Sequence, residues 1–469
     1  MSRRNDYGAR RSGPGLMPRV LLAGLLLCGL VVAMRGAFRA GPAPEVTITP
    51  AAKAIGARTP VTIRVAEPQR GLTGLKVEFL QAERKDTLAD KSYVPESAWA
   101  FWGSKTGSDE LKLALGRDVQ KNLKQAPATI RVTATRAGSW LRHPDPVVKE
   151  LALPVRLTPP ALAVLSSFTY VSQGGCEAVV YRVGETSVKD GVTAGGRFFP
   201  GFPLPGGGPQ DRFALFAIPY DMGEVSQVKL IAEDDVGNAA SASIIDKFFP
   251  RPLRRDTIPL DDGFLTKVVP AILSQTPELS DKGSLLENFL QINRELRKTD
   301  NAQLVALASS STPRFLWTRP FQPMGSTKVM AHFADRRNYI YRGSPVDQQD
   351  HLGLDMAGIA HAPIPAANDG VVVLAKFFGI YGNAIVVDHG YGLMSLYGHL
   401  SAIDVREGQA VTRGQILGRT GDTGLAAGDH LHFAILLQGL PVSPVEWWDP
   451  HWLTDRIARK LGRAFPFVS

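Results

Sequence analysis

The feature that most constrains this chain is an uncharged run near its N-terminus, VLLAGLLLCGLVVAM, from Val20 to Met34. In lipid such a run satisfies its own N–H and C=O groups only as a helix. The flank that carries Arg3, Arg4, Arg10, Arg11 and Arg19 is expected to stay cytoplasmic, which places everything after Arg35 outside. The run alone rises only about 22 Å against a hydrocarbon core of roughly 30 Å, short for a span and long for a cleaved leader. Cleavage wants small residues at the first and third positions before the cut, and the best candidate, after Ala40, has Phe38 at the third. Residues 1–19 are therefore read as a cytoplasmic basic segment and 20–38 as a retained signal anchor. Leu27 is too bulky for a lipoprotein signal at Cys28.

At 469 residues the chain exceeds a single hydrophobic core and calls for roughly three domains plus linkers. Its two cysteines, Cys28 and Cys176, support no disulfide framework. The formal charge of +9 is unevenly spread: between His351 and Pro450 four Lys or Arg stand against nine Asp or Glu. A histidine-rich region of that charge is not a nucleic-acid or polyphosphate site.

The expected architecture is mainly β and multidomain. Strand-like runs EVTITP, PVTIRVAE, LKVEFLQ and ATIRVTATRAG suggest an Ig-like β-sandwich over 41–158. EAVVYRVG, DRFALFAIPY and VSQVKLIAEDDVGNAASASII, with DDVGN as a hairpin turn, suggest a second over 159–252. The period then turns helical. Ser284 and Glu287 form a capping box ahead of Leu285, Phe289, Ile292 and Leu296, after a shorter helix over Gly263–Val269 ended by Pro270. This is a helical connector at 253–312. Its apolar stripe reads most simply as a packing face, with a lid over a cleft in the C-terminal domain as the sharper alternative. Short strands and Gly turns fill 313–455, and a basic tail at 456–469 reads as a solvated helix.

Seven of the nine histidines fall between His351 and His451. In GDHLHFAI, period-two alternation puts His430, His432 and Ala434 on one face and Leu431, Phe433 and Ile435 on the other. In HLGLD, Gly353 disfavours helix, so His351 and Asp355 project to one side of an extended segment. A hairpin follows, NAIVVDHG, GYG and LMSLYGHLS, in which Ser395, Tyr397 and His399 alternate with Met394, Leu396 and Leu400 and form a polar face. Imidazole and carboxylate are ligands of catalytic Zn²⁺, which takes three protein groups and leaves a fourth position to water. This set holds more imidazoles than the ion needs. The surplus would stand beside a water whose pKa is near 7, matched for proton transfer.

HLGLD, GNAIVVDHG, LYGHLS, GQAVTRGQILGRTGDTG, GDHLHF and VSPVEWW, in this order over roughly 337–452, resemble the catalytic domain of lysostaphin and LytM-type zinc endopeptidases, which cut peptide bonds in peptidoglycan. The resemblance implies an antiparallel-β peptidase domain in which His351, Asp355 and His432 bind one Zn²⁺. It assigns proton transfer and stabilisation of the intermediate to His399 and His430. Some relatives lack such residues and only activate amidases; all five are present here. The expected substrate is the stem peptide of peptidoglycan, a D-alanyl cross-link next to a diamino acid first and a glycine bridge second. The chain is expected in the cell inner membrane, single-pass, with its bulk in the periplasm or extracytoplasmic space and the β-modules as spacers or docking elements for an envelope partner. A non-catalytic peptidoglycan-binding scaffold or amidase activator is the alternative. His361, His389 and His451 read as structural, Tyr397 as packing and Asn383 as the holder of the IYGN turn.

Overall fold

The computed structural model describes residues 16–97 and 103–468. Arg3, Arg4, Arg10 and Arg11, expected to hold the flank in the cytoplasm, lie outside the described residues. The chain divides into two compact units, Met1–Thr158 with Asp235–Asn238, and Pro159–Asp234 with Ala239–Ser469.

In the first unit the apolar run is part of a longer helix, Leu16–Phe38. Helical turns on both sides of the run, which include Arg19 and Arg35, bring the whole helix to about 34 Å, and long basic side chains at its ends can extend toward the interface. Behind it stand two antiparallel sheets, one of Glu45–Pro50, Thr59–Ala66 and Ser108–Leu115, the other of Arg84–Ser92, Leu72–Gln81, Ala128–Arg136 and Val147–Leu153. Alternation places Val61, Ile63 and Val65 of one sheet and Val77, Phe79, Ile130 and Val132 of the other in a shared core.

In the second unit the β-layer of residues 159–252 is built on Cys176–Val183 and Asp211–Ala217, paired antiparallel. The DDVGN turn joins Lys229–Asp234 to Ala239–Ala242 as a hairpin. Phe202 and Phe213 meet Tyr391 at 4.8 and 4.9 Å, so this layer and the C-terminal domain share one hydrophobic core. The C-terminal sheet runs in the order Lys328–Ala331, Leu354–Ala357, Leu431–Leu437, Leu393–Gly398, Asn383–Gly390, Gly370–Phe377 and Ala410–Val411. Its register pairs Asp355 with His432, and His432 with Gly398.

Both faces of that sheet are covered. Phe433, Ile435 and Tyr397 face the shared core, whereas Met394, Leu396, Ala434 and Leu436 lie under the connector with Phe289, Ile292 and Leu296. Ser284 caps the helix Leu285–Gln291 through its Oγ, which accepts from the Glu287 N–H at 3.2 Å, and the helix continues through a π-turn into Arg297–Ala308. The preceding helix is Asp262–Leu273 and carries Pro270 inside it. Proline does not end it there, because Val268, Val269 and Ile272 are all buried in the same cluster and hold the last turn down.

The basic tail is not solvated. Ile457, Leu461, Ala464 and Phe465 are buried in the shared core, and Lys460 Nζ reaches the fully buried Glu177 at 2.9 Å. The basic residues had hidden an apolar face at helical spacing, Ile457, Leu461 and Phe465. Nearby, Glu446 accepts from the Cys176 N–H at 2.8 Å. Burial pushes both Glu177 and Glu446 up to about 7. A carboxyl raised in the fold binds its proton more tightly there than in the unfolded chain. The stabilisation is thus full below the ordinary glutamate range and lost as pH rises through about 7. The melting temperature of the second unit should fall between about pH 5 and pH 8, with each group contributing on the order of 2 kcal/mol. In Glu446→Gln the slope should be visibly flatter, which scanning calorimetry across that range measures.

Candidate active site

His351 ends the strand Ser344–His351, Asp355 lies in Leu354–Ala357, and His432 lies in Leu431–Leu437. Their ligand atoms converge as a triangle: His351 Nε2 to Asp355 Oδ1 is 2.9 Å, Asp355 Oδ1 to His432 Nδ1 is 3.0 Å, and His351 Nε2 to His432 Nδ1 is 3.1 Å. Tetrahedral ligands about 2.0 Å from one cation would be about 3.3 Å apart, so these edges fit with a small relaxation. The donor set fits too. His351 donates Nδ1–H to the His332 carbonyl at 2.9 Å, which leaves Nε2 as a lone pair aimed into the triangle. Burial pushes His432 down to about 4, so the ring is neutral at neutral pH and has one nitrogen lone pair to offer a cation. Burial opposes ionisation of Asp355, yet His351, His430 and His432 around it hold its carboxyl well below the usual range. Two imidazoles and a carboxylate this close together form a donor set that could hold a cation.

Local sequence explains the convergence. A Cβ on Gly353 would stand 2.5 Å from His432 Nε2 and 2.8 Å from the Phe433 carbonyl, so only glycine lets HLGLD lie against the histidine strand. The outer oxygen of Asp355 is held by Arg337, Nη2 to Oδ2 at 2.7 Å, which turns Oδ1 into the triangle. Arg337 was not singled out from sequence. The available signal was a hairpin: the Arg342-Gly343 turn, both residues at positive φ, sets Asp335 opposite His351, with Arg337 two residues along on the same face. Partners of this kind typically tune metal affinity by about 10- to 100-fold. Arg337→Met should weaken metal retention by that order in chelator competition while leaving the circular-dichroism spectrum unchanged.

Beside the triangle stand His399 and His430, ring centroids 4.8 Å apart. His399 does not arrive by strand alternation. Ser395 and Tyr397 face the shared core and are fully buried, so the polar face expected for this strand does not exist. His399 sits past the strand end at φ +67°, a left-handed backbone that swings its side chain to the opposite face. Its N–H donates to the Tyr381 carbonyl at 2.7 Å and its Nδ1–H to the Thr423 carbonyl at 2.8 Å. The GDTG loop thereby fixes the ring, with Thr423 Oγ1 in turn donating to the Leu400 carbonyl. Burial, then the neighbouring His430, hold His399 well below the usual imidazole range. His430 donates Nδ1–H to the Gly428 carbonyl at 2.8 Å, and its Nε2 lies 3.5 Å from Asp355 Oδ1. Burial pulls His430 down, but the Asp355 carboxylate more than offsets this and its pKa is raised.

The five side chains line a cleft of about 330 Å³ whose other wall comes from the connector side, with Ile258, Pro259, Phe264 and Arg297. The remaining histidines stand apart from it. His389 is buried between the Asp369 carbonyl and the Ser395 hydroxyl, and His361 is exposed at φ +56° beside Ser401 and Asp429. His451 is exposed in the short helix Pro450–Leu453, whose N-terminus Asp449 caps. Asn383 Nδ2 donates to the Leu400 carbonyl at 3.1 Å and holds its turn.

Residues 349–444 match peptidase family M23, a span that contains all five side chains. This part of the chain is an M23 peptidase domain. Over 121 residues the chain is 41% identical to peptidoglycan DD-endopeptidase ShyA of Vibrio cholerae, 25% of this chain and 27% of that protein. Over 124 residues it is 36% identical to DD-carboxypeptidase/endopeptidase Mpg of Neisseria meningitidis, 26% of this chain and 28% of that protein. The chain thus spans little more than a quarter of the length of these relatives. A solved structure of a putative peptidase M23 from Pseudomonas aeruginosa is 25% identical, with a TM-score of 0.35, over 59% of this chain and 94% of that one. The M23 match falls on the stretch where the lysostaphin and LytM resemblance was read.

Proposed function

We propose that the M23 domain is a zinc endopeptidase that hydrolyses peptide bonds in peptidoglycan cross-links. In this reading the chain is held in the inner membrane by its N-terminal helix, with its bulk outside the cytoplasm. The carrying observation is the triangle of His351 Nε2, Asp355 Oδ1 and His432 Nδ1 with two further imidazoles tied beside it. A scaffold or amidase activator needs none of these groups. A purely structural metal would be closed by a fourth protein ligand, whereas among the described residues three ligand atoms form the group.

His351, Asp355 and His432 would hold the ion, which supplies Lewis acidity toward the scissile carbonyl and lowers the pKa of water at the site. The remaining chemistry falls to the two other histidines. His399, with Nδ1–H committed to Thr423 and the ring kept neutral by burial, presents Nε2 as the proton acceptor for the attacking water and returns that proton to the leaving amine. His430, its Nδ1–H committed to the Gly428 carbonyl, would stand with its ring beside the oxygen that gains charge in the tetrahedral intermediate and steady it there. Mass spectrometry of purified peptidoglycan after digestion, with and without a chelator, tests the reading. Cross-linked dimers should give monomers cut at a peptide bond only without chelator; intact cross-links in both samples would reject it.

A further inference from the structure

We infer that the loop Gly138–Pro144 of the first unit is a membrane foot, seating that unit in the head-group boundary beside its own helix. The proposal rests on the reading that Leu16–Phe38 spans a bilayer. A helix ends with carbonyls that have no partner within it, and here a turn of the β-sandwich supplies them. Leu141 N–H donates to the Ala37 carbonyl at 3.0 Å, Ser139 Oγ to the same oxygen at 2.8 Å, and Trp140 N–H to the Gly36 carbonyl at 3.4 Å. These bonds fix the height of the loop against the helix.

What the turn presents at that height is apolar. Trp140 is 73% exposed and Leu141 54%, the only adjacent pair of large exposed apolar residues on the sandwich among the described residues, and Phe38 is exposed next to them. From Arg19 to Gly36 the helix rises about 26 Å, just within a hydrocarbon core of roughly 30 Å. If Arg19 marks one boundary, Trp140 and Leu141 meet the other. Tryptophan favours that depth, where an apolar ring meets a wet rim. Arg142, whose guanidinium lies 5.9 Å from the Phe38 ring centroid, puts a cation on the same rim, in reach of lipid phosphates, while Arg39 is committed to Glu96 at 2.8 Å. The platform is rigid: buried Arg70 donates to the carbonyls of Arg39, Glu96 and Gly138 and so ties helix exit and loop together. In water this pair would be a liability; against lipid it is a second attachment that stops the sandwich pivoting about a single helix.

The test is site-directed spin labelling of the full chain in vesicles of phosphatidylethanolamine and phosphatidylglycerol, read as collision with oxygen against a water-soluble nickel chelate. Three labels are compared: native Cys28 in the helix, and Leu141→Cys and Val119→Cys, each in a Cys28→Ser background. Cys176 is buried and stays unlabelled. Val119 is exposed on the same sandwich and reports water. The expected result is Cys28 in the acyl core and Leu141→Cys with an oxygen-to-nickel ratio several-fold above Val119→Cys. Cys28 in lipid with Leu141→Cys equal to Val119→Cys overturns the foot and leaves the anchor standing. Both in water overturns the anchor, and the foot with it.

Discussion

His432→Ala is expected to lose metal and turnover together, whereas His399→Ala and His430→Ala keep the metal and lose turnover alone. His432 Nδ1 is one of three ligand atoms, and its removal leaves His351 and Asp355 to hold a cation with two. His399 and His430 stand outside the triangle with their Nδ1 atoms committed to backbone carbonyls, so truncating them leaves the ligand set untouched. General acid–base assistance is worth about 10² to 10⁴ in rate, which is the loss expected from either. Alanine at position 399 carries a complication, because φ +67° is a backbone that histidine and asparagine adopt more readily than most L-residues. His399→Asn is the better probe, since asparagine tolerates that backbone and cannot relay a proton as imidazole does. Metal analysis and fragment release from peptidoglycan, measured on all four variants, separate the roles. A His430→Ala enzyme with full metal and full activity would reject the assignment.

Patterning alone reached the site by different routes, and the differences are physical. Strand parity correctly puts His432 on the face of Ala434 and Leu436, because Leu431–Leu437 is a regular strand with both neighbours in register. Parity fails for His399, where one left-handed residue reverses the direction of the side chain, and nothing in the composition of LYGHLS announces a positive φ at histidine. The five positions that the resemblance named are brought into one cleft as a group, since the resemblance relies on ordered motifs and not on faces. Long-range partners are the part that local pattern does not carry. Arg337 on Asp355, Lys460 on Glu177 and the burial of the tail each depend on which segments pack together. The tail is the plainest case: Arg456, Arg459, Lys460 and Arg463 suggested water, but Arg459 and Arg463 reach solvent from a helix whose other face is buried, and Lys460 turns inward to Glu177.

Phe289→Ala is expected to cost about 3–5 kcal/mol, because it empties the middle of the connector's core. Phe289 is fully buried, with its ring 5.6 Å from Tyr339 and 6.4 Å from Phe264, and it belongs to the cluster that covers Leu396, Ala434 and Leu436 of the peptidase sheet. Deleting residues 261–310 outright would bare that sheet face, so loss of function after deletion would say nothing about a lid. The point substitution does discriminate. A lid that restrains the enzyme predicts higher turnover once its packing is loosened. A wall of the cleft, which is what Phe264 and Arg297 form, predicts turnover that stays level or falls at temperatures well below the melting point. Lys267 gives a control that barely touches stability. Its ion pair with Asp422 at 2.7 Å joins the connector helix to the loop carrying His430, but both side chains are roughly half exposed, so the pair is worth under about 1 kcal/mol. If that contact were a latch, Lys267→Ala would open the cleft and raise turnover on intact peptidoglycan. With the wall held by Phe289, Ile292 and Leu296 beneath it, Lys267→Ala should leave turnover unchanged, and an increase in either variant would restore the lid.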